Sequence, residues 1–363
     1  MPYSIVSRIL PTRPLDITPQ RIVLIRPCCI GDVVMATGAL TALRQTYPQA
    51  HITWAVGSWS ARAIEAHPAI DAILDTENAD LPVRSWGGFR QFVTQLRAGQ
   101  FDLAVSLVRS PLMSLAVHLS GIPYRAGLDS LGRGFGYNIR VPIDPAVSQH
   151  EGDIYLNVIR TLAGNSVHAY ANLPISESAQ TTVQAILESA GISSPFIVAH
   201  AGGGSNPGMQ MDSKRYPPAK LAQILNQIAG ELSASVVLIG GPNDGVLVDA
   251  VYNQLQNVNA IQLVNQLSFA EIGALASLSV CYIGNDTGLT HLASASGAKT
   301  VMMMGPTDPT RYAPFTANHR VLWKPTALNI GGVAQADNRA WNWERDGFDV
   351  SFAVAEILEF VRE

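Results

Sequence analysis

Val280-Cys281-Tyr282-Ile283-Gly284-Asn285-Asp286-Thr287-Gly288-Leu289-Thr290-His291-Leu292-Ala293 passes from a strand-length apolar run into a tight polar cluster and then into a segment of helical character. A short apolar strand that ends in a polar turn and feeds a helix is the repeating unit of parallel α/β domains. The same unit occurs at Phe196-Ile197-Val198-Ala199-His200, followed by the Gly-rich run Ala201-Gly202-Gly203-Gly204-Ser205-Asn206-Pro207-Gly208. It occurs again at residues 21–26 (RIVLIR), followed by Cys28-Cys29-Ile30-Gly31-Asp32.

Working outward from these units, the first half offers further strands at 52–56, 71–75 and 103–108, with a helix from Val33 to Tyr47. The second half adds strands at 236–240, 260–264 and 300–305. A helix from His150 to Ala163 and a looser stretch near Ala171–Ser178 separate the two series. At roughly 150 residues per domain, 363 residues make about two domains. The pattern predicts an N-terminal Rossmann-like domain over 1–175, a C-terminal one over 176–345, and a closing helix within 346–363 with the N-terminal domain as one surface to pack back on. Ligand sites are expected at the carboxyl ends of the strands, where helix N-termini gather.

Composition narrows the function. Hydrophobic residues at 47% against 14% charged allow a substantial core and exclude a disordered chain. No apolar run reaches the roughly 18 residues of a bilayer span, and the N-terminal stretch, broken by prolines and charges, has no signal-peptide core. The expected location is cytoplasmic. Residues 1–150 carry a net +3 and residues 151–363 a net −7, which suits an anionic ligand on one side or simple surface scatter. The basic density is far below that of a nucleic-acid binder. Three cysteines, two of them adjacent, give neither a disulfide framework nor zinc spacing and read as small buried side chains near a turn.

Several chemistries are absent by motif. There is no G-x-G-x-x-G after a strand, no G-K-[ST], no second His at zincin spacing after His150-Glu151, and no G-x-S-x-G. The D-x-D pattern of many metal-dependent sugar transferases is missing too. Three constellations remain. Gly31 permits a tight turn that puts Asp32 at the start of a helix, as an N-cap or as a carboxylate available for general-base work. The Gly-rich run after His200 exposes backbone N–H groups suited to phosphate oxygens, with Lys214-Arg215 before a Pro-Pro pair that starts a helix. Asp286 and Thr287 fit an N-cap whose positive dipole faces a ligand, and His291 shares a helical face with Thr287, either as a packing histidine or as part of a site.

In this order and placement the three constellations resemble glycosyltransferase family 9, which includes the ADP-heptose:lipopolysaccharide heptosyltransferases. The resemblance covers about residues 21–316 and is most specific at Asp286-Thr287-Gly288 with His291, followed by Gly305-Pro306-Thr307-Asp308-Pro309. It implies a GT-B fold, two Rossmann-like domains facing a central cleft, with the acceptor on the first and the nucleotide-sugar on the second. It implies inverting transfer of a heptose-like sugar to a glycolipid or surface-glycan hydroxyl. It also implies that neither metal nor cofactor takes part and that a nucleotide-diphosphate-sugar such as ADP-heptose is the co-substrate. By resemblance Asp32 is the catalytic base, while Gly203, Gly204, Lys214, Asp286, Thr287, Gly288 and His291 bind the donor. Departures fall on the donor side: the family's His-Pro-Gly reads His200-Ala201-Gly202, and its acidic donor contact has only Asn243 or Asp244 to match it.

Arg26 and Arg109, at strand ends of the more basic half, are the expected acceptor contacts if the acceptor is anionic. Membrane contact would be peripheral, at the inner face of the plasma membrane. A nucleotide-sugar 2-epimerase on the same architecture and a catalytically silent sugar-nucleotide-binding protein are the alternatives.

Overall fold

The computed structural model describes residues 11–77, 81–164, 166–192, 195–206, 209–327 and 341–363. Two units divide the chain between Ala171 and Asn172, where the sequence suggested a boundary at 175.

In the first unit, strands β1 (Arg21–Ile25), β2 (His51–Val56), β3 (Ala72–Asp75), β4 (Leu103–Ser106), β5 (Tyr124–Ser130) and β6 (Ile139–Ile143) form a sheet of order β3-β2-β1-β4-β5-β6. Every pairing is parallel, with Ile22 opposite both Ile52 and Leu103. Helices cover the sheet because parallel strands can be joined only by crossovers. The central strands are therefore buried on both faces, and β4 reads Leu-Ala-Val-Ser with no exposed position. The sheet order reverses between β1 and β4, the doubly wound arrangement.

The second unit repeats this order with β7 (Phe196–His200), β10 (Ser235–Gly240), β11 (Ala260–Val264), β12 (Cys281–Asn285), β13 (Thr300–Met303) and β14 (His319–Leu322), arranged β11-β10-β7-β12-β13-β14 and again all parallel. A small antiparallel pair, β8 (Ser205–Asn206) with β9 (Met209–Gln210), follows β7. The intervening Pro207 and Gly208, part of the Gly-rich run read from the sequence, lie outside the described residues.

The closing helix, Val350–Arg362, packs on other elements of the second unit. Its Ala353, Ile357 and Phe360 join a core with Leu221, Leu225 and Ile228 of the helix Pro218–Leu232. Arg320 on β14 reaches Glu356 at 2.9 Å and Glu363 at 2.7 Å, and Lys299 Nζ donates to the Phe360 carbonyl at 3.2 Å. The apolar stripe that left its destination open in the sequence is matched by an equally apolar neighbour in its own unit. Of the Trp-rich stretch before it, Trp343 is buried against Tyr216 and Phe348 and lies close under Gly305. Among the described residues no helix is long and apolar enough to cross a membrane.

One helix of the first unit is held by an especially close approach. Ile30–Thr46 has Gly38 so near the passing chain that a Cβ there would lie 2.7 Å from the Ala169 carbonyl oxygen. The obstacle is backbone and cannot swing aside. Gly38→Val is expected to lower unfolding stability by about 1–3 kcal/mol, seen as a lower urea midpoint. A midpoint equal to that of the parent would show that the contact yields.

Candidate functional site

Each unit gathers polar side chains at the carboxyl edge of its sheet. In the first unit the cluster begins where the chain leaves β1. Arg26 follows the strand directly, and the chain turns through Cys28-Cys29 into the helix Ile30–Thr46, which places Asp32 in its first turn. The N-cap is Cys29, and the Asp32 carboxylate accepts from the Cys29 backbone N–H, as the third helical residue does in a capping box. Asp32 thus fulfils the helix-start reading in part while keeping its carboxylate for other partners. Arg26 Nη2 lies 2.7 Å from Asp32 Oδ1, and the Tyr155 hydroxyl donates to the same oxygen at 2.8 Å. The Arg26 guanidinium also lies over the Tyr155 ring, 5.2 Å from its centroid, and donates to the Leu107 carbonyl at 3.2 Å.

Tyr155 is fully buried on the helix Glu151–Ala163, one turn beyond Glu151, which is buried too and paired with Arg109. Burial alone would raise the Asp32 carboxyl, but the Arg26 charge and the hydrogen bonds from Tyr155, Arg26 and Cys29 outweigh it and hold the group below the usual carboxylate value. Burial pushes the Tyr155 phenol up, so it stays a donor. Both arginines expected to meet an acceptor therefore have carboxylate partners inside the unit: Arg26 has Asp32 and Arg109 has Glu151. The adjacent cysteines differ from their sequence reading. They are half-buried rather than core, and they are joined to each other by a disulfide.

In the second unit the cluster spans the ends of β7 and β12, the two strands between which the order reverses. The run Ala201–Gly204 leaves β7 and is fastened from below by Asn285, the last residue of β12. Asn285 Nδ2 donates to the Ala201 and Gly202 carbonyls, each at 3.0 Å, and its Oδ1 accepts from the Tyr216 N–H at 2.9 Å. Gly203 has φ +103°, and a Cβ on it would lie 2.0 Å from Thr287 Cγ2, so both backbone and space require glycine. Gly204, at φ +72°, faces the Met211 carbonyl in the same way.

Beyond β12, Thr287 is the N-cap of the helix Gly288–Ala295; its hydroxyl caps no backbone N–H and lies 3.4 Å from the Thr290 hydroxyl instead. Asp286 makes an ion pair with Lys214, Oδ2 to Nζ 2.6 Å. His291 is buried one turn into the helix, where its ring adds to the positive surroundings of Asp286. Burial would raise the Asp286 carboxyl, yet the Lys214 charge and hydrogen bond prevail and keep it below the ordinary value. All seven donor-side residues named from the sequence thus belong to one region of the second unit.

Asp244, one of the two residues that the sequence offers for the family's acidic donor contact, has partners within the unit. Its Oδ2 faces His200 Nε2 at 3.2 Å and accepts from the Gly241 N–H at 2.8 Å. A Cβ on Gly202 would run into the same carboxylate. Asp244 thus braces the Gly-rich run and the end of β10. Asn285 and Tyr155 were not singled out from sequence. Asn285 stands directly before the most specific motif, whereas nothing around Tyr155 distinguishes it from core.

Two doubly wound parallel units, each with a polar cluster at its strand ends, make the architecture of the GT-B fold, on which sugar transfer is one known use. The family model of glycosyltransferase family 9 (heptosyltransferase) matches residues 89–331, and the chain belongs to that family. Lipopolysaccharide heptosyltransferase 3 of Escherichia coli is 22% identical over 298 residues, covering 81% of this chain and 86% of the relative. Among solved structures, the family 9 glycosyltransferase from Veillonella parvula superposes with a TM-score of 0.76 at 20% identity, over 94% of this chain and 97% of the other. The E. coli heptosyltransferase WaaC with ADP does so at 0.68 and 16%, over 94% and 100%. The protein is a heptosyltransferase-like enzyme.

The Lys214–Asp286 pair carries a stability prediction. Asp286→Asn removes the charge and leaves Lys214 without its counterion. The expected cost at pH 7 is about 1–3 kcal/mol, below the ~3–5 of a wholly buried pair because Lys214 remains 20% exposed. A depressed carboxyl contributes stability above its unfolded value, near 4, and loses it as pH falls through the folded value. Urea midpoints of parent and variant should therefore differ at pH 7 and converge as the pH falls below the ordinary carboxylate value. A constant difference across that range would place the effect elsewhere.

Proposed function

We propose that the protein transfers a heptose-type sugar from a nucleoside-diphosphate donor, ADP-heptose by preference, to a hydroxyl of a lipopolysaccharide-type acceptor. The transfer inverts the anomeric centre in one displacement and needs no metal ion. The observation that carries this reading is the Asp32 carboxylate. It stands at a strand end, 28% exposed, and is held ionised by Arg26 and Tyr155. Family membership, the lipopolysaccharide heptosyltransferases among its relatives and the ADP of the WaaC structure support the substrate class.

In this mechanism the acceptor oxygen attacks the anomeric carbon as its proton passes to Asp32, and the bond from that carbon to the diphosphate oxygen breaks. The nucleoside diphosphate leaves with one further negative charge. Lys214 and the N–H groups at the start of the helix Gly288–Ala295 meet that charge, which is the work a metal ion does elsewhere. Gly203 and Gly204 bring backbone close to the same phosphates. Lys214 is paired with Asp286, so a diphosphate exchanges one anionic partner for another instead of meeting a bare cation. Arg109, with 27% of its side chain exposed beside Glu151, is the arginine proposed to meet an anionic acceptor, while Arg26 serves Asp32. Contact with the membrane that carries the acceptor is peripheral.

Turnover of ADP-heptose with a heptose-deficient lipopolysaccharide core tests the proposal. Free sugar released at equal rate without acceptor would favour an epimerase or hydrolase, and no turnover with any nucleotide sugar would favour a silent binding protein. Asp32→Asn should lower kcat by roughly 10²–10⁴-fold with the donor KM nearly unchanged. More than half of the activity surviving would remove Asp32 from the chemistry. Activity should also persist in excess chelator; loss restored by magnesium or manganese would overturn the metal-free mechanism.

A further inference from the structure

We propose that Tyr155 and Arg26 are positioning residues that act through Asp32, fixing which of its oxygens takes the acceptor proton and keeping that oxygen unprotonated until the acceptor arrives. The proposal rests on the reading of Asp32 as the base. Its independent ground is the convergence of two side chains, from separate elements, on a single oxygen atom.

Oδ1 receives the Tyr155 hydroxyl at 2.8 Å and Arg26 Nη2 at 2.7 Å. A carboxylate oxygen has two lone pairs, and two donors occupy both. Oδ2 is then the oxygen on which neither side chain rests, and the acceptor's proton goes there. The arrangement is stiff. Tyr155 is fully buried, and Arg26 is anchored by the Leu107 carbonyl and lies over the Tyr155 ring, so each donor holds the other in place. Asp32 itself is tied to the Cys29 N–H at the start of its helix.

The charged and titratable groups facing Asp32 come from three elements. Arg26 follows β1, Tyr155 and Glu151 belong to the helix Glu151–Ala163, and Arg109 follows β4 and pairs with Glu151. The two guanidinium charges balance the two carboxylates. The phenol, whose own ionisation burial suppresses, supplies a hydrogen bond without charge. Stabilising the ionised form makes Asp32 a weaker base, a cost set against correct aim and full readiness at neutral pH. A merely packed tyrosine would have no effect on that balance.

The experiment is a ¹³C carboxyl NMR titration of Asp32, assigned by comparison with Asp32→Asn, in the parent protein, Tyr155→Phe and Arg26→Lys. Removing a donor to the charged form raises the proton affinity. In Tyr155→Phe the Asp32 titration should therefore move to higher pH by roughly one unit. Its kcat at pH 7 should fall about tenfold, with the KM values for donor and acceptor little changed. Arg26→Lys keeps the charge but not the fork and should shift the titration in the same direction. Thermal melts of each variant separate loss of fold from loss of function, and Tyr155→Phe, which removes a single oxygen atom, decides the matter if the arginine variant does not fold. An Asp32 titration unmoved in Tyr155→Phe would overturn the proposal. The acidic limb of the kcat/KM profile should follow the NMR titration. If the titration moves and the limb does not, it is the base assignment of Asp32 that fails.

Discussion

Parallel pairing throughout both sheets is the constraint on which the rest of this structure depends. Every strand leaves its sheet at the same edge, and every crossover helix begins there. Where the order reverses, between β1 and β4 and between β7 and β12, consecutive connections diverge to opposite faces and leave room at the strand ends. That edge collects backbone N–H groups from helix starts and whatever polar side chains the turns carry. Asp32 and Asp286 both stand in such turns, each directly beyond or near the end of a central strand. The apolar interiors of the two units fix the positions of these carboxylates.

The two sites solve one electrostatic problem twice. Each carboxylate is substantially withdrawn from water, which by itself favours its neutral form. Each is kept ionised by a single cation at short range, Arg26 in one unit and Lys214 in the other. The difference lies in what the cation can do. Arg26 is itself pinned to a carbonyl and over an aromatic ring, so it is part of the frame. Lys214 closes a turn of 3-10 helix and carries its point charge on a flexible stem. In the proposed chemistry a rigid cation suits a base that must hold its aim, and a mobile one suits the handling of a departing anion.

The sequence reveals what is buried on both faces. Strands β1, β7, β10 and β12 are nearly continuous apolar runs because helices cover them from both sides. It conceals β5, β6 and β14, where Arg125, Arg140, Pro142 and Arg320 interrupt the pattern. Strands β6 and β14 are edges, and proline is tolerated at an edge because one side of the strand has no neighbour to bond. Asp286, Thr287, Gly288 and His291 drew notice because they stand together in a strand-turn-helix motif. Tyr155 was not, since a tyrosine inside an amphipathic helix looks like core until its hydroxyl is traced to Asp32. Arg26 was noticed for its place at a strand end, but its partner is set by the turn through residues 28–31, and the rules for spaced cysteines say nothing of a bond between neighbours in that turn. The last helix showed its apolar stripe but not which surface would match it.

Asn285 has a consequence for how far this sequence can drift. Its side chain is the joint among the run leaving β7, the chain entering Tyr216 and the end of β12, and it uses donor and acceptor at once. Aspartate would keep the acceptor and turn two carbonyls towards a negative charge, while leucine would orphan all three backbone groups in the interior. Glutamine has the right chemistry on too long a stem for a pocket that leaves Asn285 no exposed surface. Position 285 therefore has an alphabet close to a single letter, although it touches no reacting atom in the proposed chemistry. Leu289, a few residues on and only partly buried, is free to wander among many.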